Sequence, residues 1–161
     1  MTREEKISLL DRFENLTYEF DDVLELSNEL ILYRPFEDAW SIKEQLVHCL
    51  DVDIANFHRY RRAIAQPDTP VFSFDQVWTR NLDYQLSDLK LTLDLLKMVR
   101  IYMVNHLKTI VDSDWNIYAY IHDKKGRICL EEAISQYSEH VDFHRKLIDR
   151  NIELFHSLNV T

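Results

Sequence analysis

Glycine is almost missing from this chain and proline is nearly as scarce, with one of the former and three of the latter in 161 residues. So few breakers leave long stretches free to run as uninterrupted helix. Cysteine is scarce too. Cys49 and Cys129 form neither a metal-binding spacing nor a disulfide framework, which fits reduced thiols in a cytoplasmic protein. No apolar run approaches the roughly 18 residues of a membrane-spanning helix. The charged, amphipathic start, MTREEKISLL, does not read as a signal peptide. Positive charge is in deficit: 19 basic against 28 acidic residues gives a net charge of −9. That balance counts against a nucleic-acid partner read through its phosphates and against docking on anionic membranes.

What is present is helical periodicity. A length of 161 residues with 46% hydrophobic residues fits one domain, 1–161, with a proper core. The first periodic segment runs from Thr2 to Leu32. Thr2 and Glu5 make a capping box, and Leu9, Phe13, Leu16, Phe20 and Val23 recur at three- and four-residue steps. The second runs from the Ser41/Glu44 capping box to Ile64, where QPDTP breaks it. The third runs from Asp75 to Ile110 and carries two apolar stripes. Leu82, Leu86, Leu89, Leu93, Leu96, Met103 and Leu107 form the main one; Leu91, Leu95, Met98 and Tyr102 form the other. The second stripe must meet another helix of the chain or a second subunit. An aromatic stretch follows, with Gly126 at a turn and Ile117–Ile121 as a short extended segment. The fourth helix runs from Leu130 to Leu158. Four helices in one domain predict an all-α four-helix bundle with a short irregular or extended segment before the last helix.

The chemistry lies in histidine. SEHVDFHRK places His140 and His144 four residues apart on the last helix, one turn from each other on the face that also carries Tyr137, Val141 and Ile148. A buried imidazole is more often a satisfied core residue than a ligand, and a chance pair at this spacing is common. His48, in WSIKEQLVHC, offers a third imidazole from another helix, and a pair plus a single histidine can form a three-histidine site for a divalent ion. On the helical wheel, however, His48 stands about 200° from Leu46, the centre of the main apolar stripe. Periodicity alone leaves its direction undecided. His58, His106, His122 and His156 read as surface or polar-edge residues. Cys49 reads as a small hydrophobe. Glu44, Asp51 and Asp53 are near enough in sequence to orient an imidazole or act as a base, although solvated or ion-paired carboxylates are the commoner outcome. Trp40, Trp78 and Trp115 are candidates for a pocket wall or the core.

WSIKEQLVHCLDVD, followed some ninety residues later by GRICLEEAISQYSEHVDFHRKLIDR, resembles the DinB/YfiT-like family of bacterial proteins. The shared pattern is a tryptophan, a capping Ser or Thr, an acidic or amide residue and a histidine on the second helix, then a glycine turn and H-x-x-x-H on the last. The resemblance implies a four-helix bundle of that type with one divalent metal ion held by His48, His140 and His144. One feature departs from the pattern: Cys129 stands where the family usually has a Thr or Ser cap, and sulfur is a poor acceptor.

Three neutral ligands would leave open positions on the ion, as in a catalytic rather than a closed structural site. Zinc or nickel is expected first, iron or manganese after them. Such a site can activate water or a thiol. The resemblance implies both chemistries, since relatives include metal-dependent hydrolases, thiol S-transferases using low-molecular-weight bacterial thiols and a maleylpyruvate isomerase. The expectation is therefore a metal-dependent enzyme with a small-molecule substrate, working as a homodimer. The rival is a non-catalytic binding or stress-response bundle with a structural metal or none.

Overall fold

The computed structural model describes residues 1–75 and 77–158. Helix α1 (Arg3–Asn15) starts at the expected capping box: the Thr2 side chain accepts from the Glu5 N–H and the Glu5 carboxylate accepts from the Thr2 N–H. It does not continue to Leu32. The Thr17 hydroxyl donates to the Glu14 carbonyl, a 3-10 helix spans Tyr18–Glu25, and Ser27 caps a separate short helix, α2 (Asn28–Leu32). The apolar rhythm survives this break, because Phe20, Val23, Leu30 and Ile31 are still buried. Thr and Ser side chains that bond nearby backbone compete with helix continuation, so no Gly or Pro is needed to stop it.

Helix α3 (Ile42–Ala65) begins at Ser41 with the predicted capping box and stops at Gln66. Asp68 then takes a left-handed conformation, φ 59°, and the chain enters a strand the sequence did not announce, β1 (Thr69–Val71). The third periodic segment also starts later than expected. A four-residue helix, α4 (Trp78–Asn81), ends before Asp83, which is left-handed at φ 45°. A 3-10 turn spans Tyr84–Leu86, and Asp88 caps the long helix α5 (Leu89–Lys108) by accepting from the Leu91 N–H at 2.8 Å. Leu82 and Leu86 fit the helical spacing, yet both are exposed. The expected extended segment is a hairpin. Strand β2 (Ala119–His122) pairs antiparallel with β3 (Gly126–Cys129) and parallel with β1, and Gly126, at φ 79°, opens β3 directly after the turn. Helix α6 (Leu130–Leu158) follows directly. Cys129 caps nothing there; the Leu130 N–H bonds the Tyr118 carbonyl at 2.7 Å instead.

The four long helices form the bundle, with α1 and α3 each packing on both α5 and α6. Around the bundle the order is therefore α1, α5, α3, α6, with α1 diagonal to α3 and α5 diagonal to α6. Sequence neighbours can stand on a diagonal because residues 16–41 and 109–129 are long connections, and the second of these carries the β2–β3 hairpin. The core has two layers along the axis. One contains Phe13, Tyr60, Met103, Trp115 and Ile134; the other contains Phe20, Ile42, Leu46, Leu96, Val141 and Ile148. Between them, the fully buried Arg100 guanidinium donates to both Asp53 oxygens and, at 2.9 Å, to the Phe13 carbonyl. This is why Asp53 lies on an apolar stripe: it neutralises a cation from the facing helix. No described helix is long and apolar enough to cross a membrane.

Candidate metal centre

Helix α3 stands between α5 and α6, so it must bury two faces. One carries Leu46 and Leu50; the other turns His48 toward α6. His48 is 4% exposed and His144 is 3% exposed, while His140 is partly buried. The ring centroids lie 5.2 Å apart for His48 and His140, 4.9 Å for His48 and His144, and 4.4 Å for His140 and His144. The Nε2 atom of His140 is 3.2 Å from that of His48 and 3.0 Å from that of His144. The direction left open by the helical wheel is thus settled by packing: all three imidazoles meet. His58, His106, His122 and His156 lie outside the cluster.

The carboxylates named beside His48 have other partners. Glu44 accepts from Arg34 and from the Ser41 N–H, Asp51 accepts from the Tyr84 hydroxyl, and Asp53 holds Arg100. The polar residue that hydrogen-bonds a cluster imidazole, among the described residues outside the cluster, is Gln45, whose Oε1 meets His144 Nδ1. An amide oxygen accepts, so Nδ1 of His144 carries the proton and Nε2 keeps its lone pair, facing the other two rings. Trp40 packs edge-on to His48 at 4.8 Å and parallel to His144 at 6.2 Å. The buried Asn151 amide holds Trp40 by donating to its carbonyl at 2.8 Å. Phe74 covers the other side of His48 at 5.4 Å. Of the remaining tryptophans, Trp115 is core and Trp78 packs on Phe74.

Burial keeps these rings neutral. It lowers His48 to about 3, helped by His140, and His144 to about 2, helped by His140 and His48. It lowers His140 to about 4, helped by the positive charges of Arg100 and Lys125. Neutral imidazoles are the form that binds a metal. The donor set fits a divalent ion in spacing as well. Two nitrogens each about 2.1 Å from one ion, at tetrahedral or octahedral angles, lie about 3.0–3.4 Å apart, and the two close Nε2 pairs fall in that range. Of the other ring nitrogens, Nδ1 of His48 and of His140 are buried without a partner among the described residues. A cavity of about 520 Å³ opens onto the cluster, walled by Phe36, Trp40, Phe143 and Leu147 and edged by Asp38 and Arg150.

The sequence matches the DinB superfamily over residues 10–148. The chain belongs to the DinB superfamily. Among DinB relatives, YfiT of Bacillus subtilis is 21% identical over 146 residues, spanning 89% of this chain and 82% of YfiT. The solved structure of YfiT, described as a probable metal-dependent hydrolase with an unusual four-helix bundle topology, superposes with a TM-score of 0.85 at 20% identity. That match covers 99% of this chain and 90% of YfiT. At this identity the likeness establishes the DinB fold; the hydrolase description belongs to YfiT. Sequence reasoning missed Gln45, Asn151 and Arg150 as lining or supporting residues. Asn151 carried a faint signal, as a polar residue two turns beyond His144 on the inner face of α6.

Proposed function

We propose that this DinB-superfamily chain is a metal-dependent enzyme acting on a small molecule, with one divalent ion held by the Nε2 atoms of His48, His140 and His144. The observation that carries this is the convergence of three neutral imidazoles from two helices at the wall of an open cavity. An all-imidazole donor set favours zinc or nickel over iron or manganese. When bound, the ion supplies Lewis acidity that makes water or a thiol nucleophilic at neutral pH.

The chain's own residues do the rest. Gln45 fixes the tautomer of His144, and a hydrogen bond from the far ring nitrogen raises the basicity of the ligand nitrogen. Trp40 and Phe74 shield His48 from water on two sides. The apolar walls of the cavity accept the body of the substrate. Hydrolysis is the reading that agrees with the description of YfiT. Thiol transfer is favoured by a separate observation: Asp38 is the one carboxylate among the described cavity residues, so the site is poor in general bases. A free thiol is already far more acidic than water, so its ionisation at the ion leans less on such a base. We assign the exposed stripe of α5 (Leu91, Leu95, Met98 and Tyr102) to contact with a second copy of the chain, since all four stay exposed among the described residues, Tyr102 even with Phe57 of α3 beside it. A cytoplasmic setting agrees with free Cys49 and Cys129.

The test uses tag-free protein loaded with zinc or nickel and dialysed. One ion per chain is expected in the native protein and none in a folded His144→Ala variant. The loaded protein is then screened against simple esters, amides and thiol–electrophile pairs, with chelation abolishing turnover and reloading restoring it. A bundle that refuses the ion contradicts this function, and a loaded bundle that turns over none of these substrates points to a structural metal.

A further inference from the structure

The cavity beside the histidines has a second chemical feature at its other edge. Arg150 lies on α6 six residues beyond His144, about 9 Å further along the helix axis, and lines the same cavity. Side chains on a helix lean toward its N-terminus, which brings a long Arg back toward the preceding turn and the histidines. The guanidinium lies 5.8 Å from the centre of the Phe36 ring and donates one bond, from Nη2 to Asn151 Oδ1, at 2.9 Å. Its Nε–H is buried and has no partner among the described residues. No carboxylate is paired with it among the described ion pairs, although ten other basic groups, including Arg12, Arg34, Arg100 and Arg145, have acidic partners. A guanidinium that lines a cavity without a carboxylate partner of its own suits a substrate carboxylate, which its edge can hold in a two-pronged contact.

We infer that Arg150 anchors a carboxylate of the substrate, so that the enzyme acts on molecules with a reacting group at the histidines and a carboxylate at the far edge of the cavity. This rests on the function proposed above and names the substrate class for that same site. The cavity also carries the apolar side chains of Trp40, Phe143 and Leu147, which suit an apolar spacer. One guanidinium with Asp38 on the same rim suits a monoanion better than a doubly charged phosphate, which Asp38 would repel. Arg150 is a specificity residue here and takes no part in bond making.

The probe is 3-mercaptopropionate, compared with its neutral amide, titrated into cobalt-loaded protein and followed by the thiolate-to-cobalt absorption band. The native protein is expected to bind the carboxylate at least tenfold tighter than the amide. Arg150→Gln should bring the two within about twofold with cobalt content unchanged, Arg150→Lys should keep part of the preference, and Asp38→Asn should enlarge it. Equal binding of acid and amide by cobalt-loaded native protein overturns the assignment, as does a preference that survives in Arg150→Gln. If the native protein takes up no cobalt, it is the three-histidine function that fails. Arg150 is then tested alone by the fluorescence of Trp40, as the remaining tryptophan in a Trp78→Phe/Trp115→Phe background, on metal-free protein with the same two probes: a preference for the acid lost in Arg150→Gln supports the anchor, and no preference overturns it.

Discussion

At the scale of residues, the site is defined by desolvation. Imidazole takes a proton near pH 6.5 when free, and burial lowers His48 to about 3, His140 to about 4 and His144 to about 2. Between pH 6.5 and 4 the unfolded chain therefore binds protons that the folded chain refuses. Stability of the metal-free protein is complete in this respect above pH 6.5 and is lost as pH falls through that window. The urea midpoint of metal-free protein is expected to drop between pH 7 and pH 5, and to drop less steeply in His144→Asn. Equal slopes in the two proteins would mean that His144 is not held neutral by burial. The His140/His144 pair was legible in the sequence, because helical spacing alone puts the two on one face. The supporting contacts were not. Gln45 reaches across to His144, and Asn151 reaches across to the Trp40 carbonyl; no local spacing rule encodes a partner about a hundred residues away in sequence.

At the scale of elements, α3 was readable at both ends and unreadable in direction. Its capping box and its QPDTP stop are local signals, and both are seen in the structure. Which way His48 points depends on α3 having two packed faces, and only the arrangement of its neighbours decides that. The start of α5 was misplaced for a related reason: Leu82 and Leu86 continue the spacing, but the left-handed Asp83 ends the short helix and Asp88 caps the long one. The break after Asn15 was hidden because Thr17 and Ser27, rather than Gly or Pro, make it. Between α3 and α5 the buried Asp53–Arg100 pair separates the two core layers. Removing the negative partner leaves a buried cation, which costs about 3–5 kcal/mol. Asp53→Asn is therefore expected to lower the unfolding free energy by that order, measured by urea denaturation. A loss below about 1 kcal/mol would show that Arg100 finds other compensation.

At the scale of the whole molecule, the helix order around the bundle matters most. Placing α1 opposite α3 and α5 opposite α6 leaves α3 and α6 in contact, and the histidine cluster forms on that seam. The four-helix class could be read from periodicity, whereas the diagonal order could not, because it is set by two long connections whose short strands and turns have weak local signals. The outer face of α5 leaves Leu91 at 66% and Met98 at 61% exposed. If that stripe joins two copies, sedimentation equilibrium gives a dimer for the native chain and a monomer for Leu95→Asp; a native monomer removes the assignment. The central claim, that one ion bridges α3 and α6, is tested most directly by X-ray absorption spectroscopy of zinc-loaded, tag-free protein. The expected spectrum shows three imidazole nitrogens at about 2.0–2.1 Å plus light exchangeable ligands, with a nitrogen lost in His48→Ala. A zinc environment without that histidine signature, or one unchanged in His48→Ala, would contradict it.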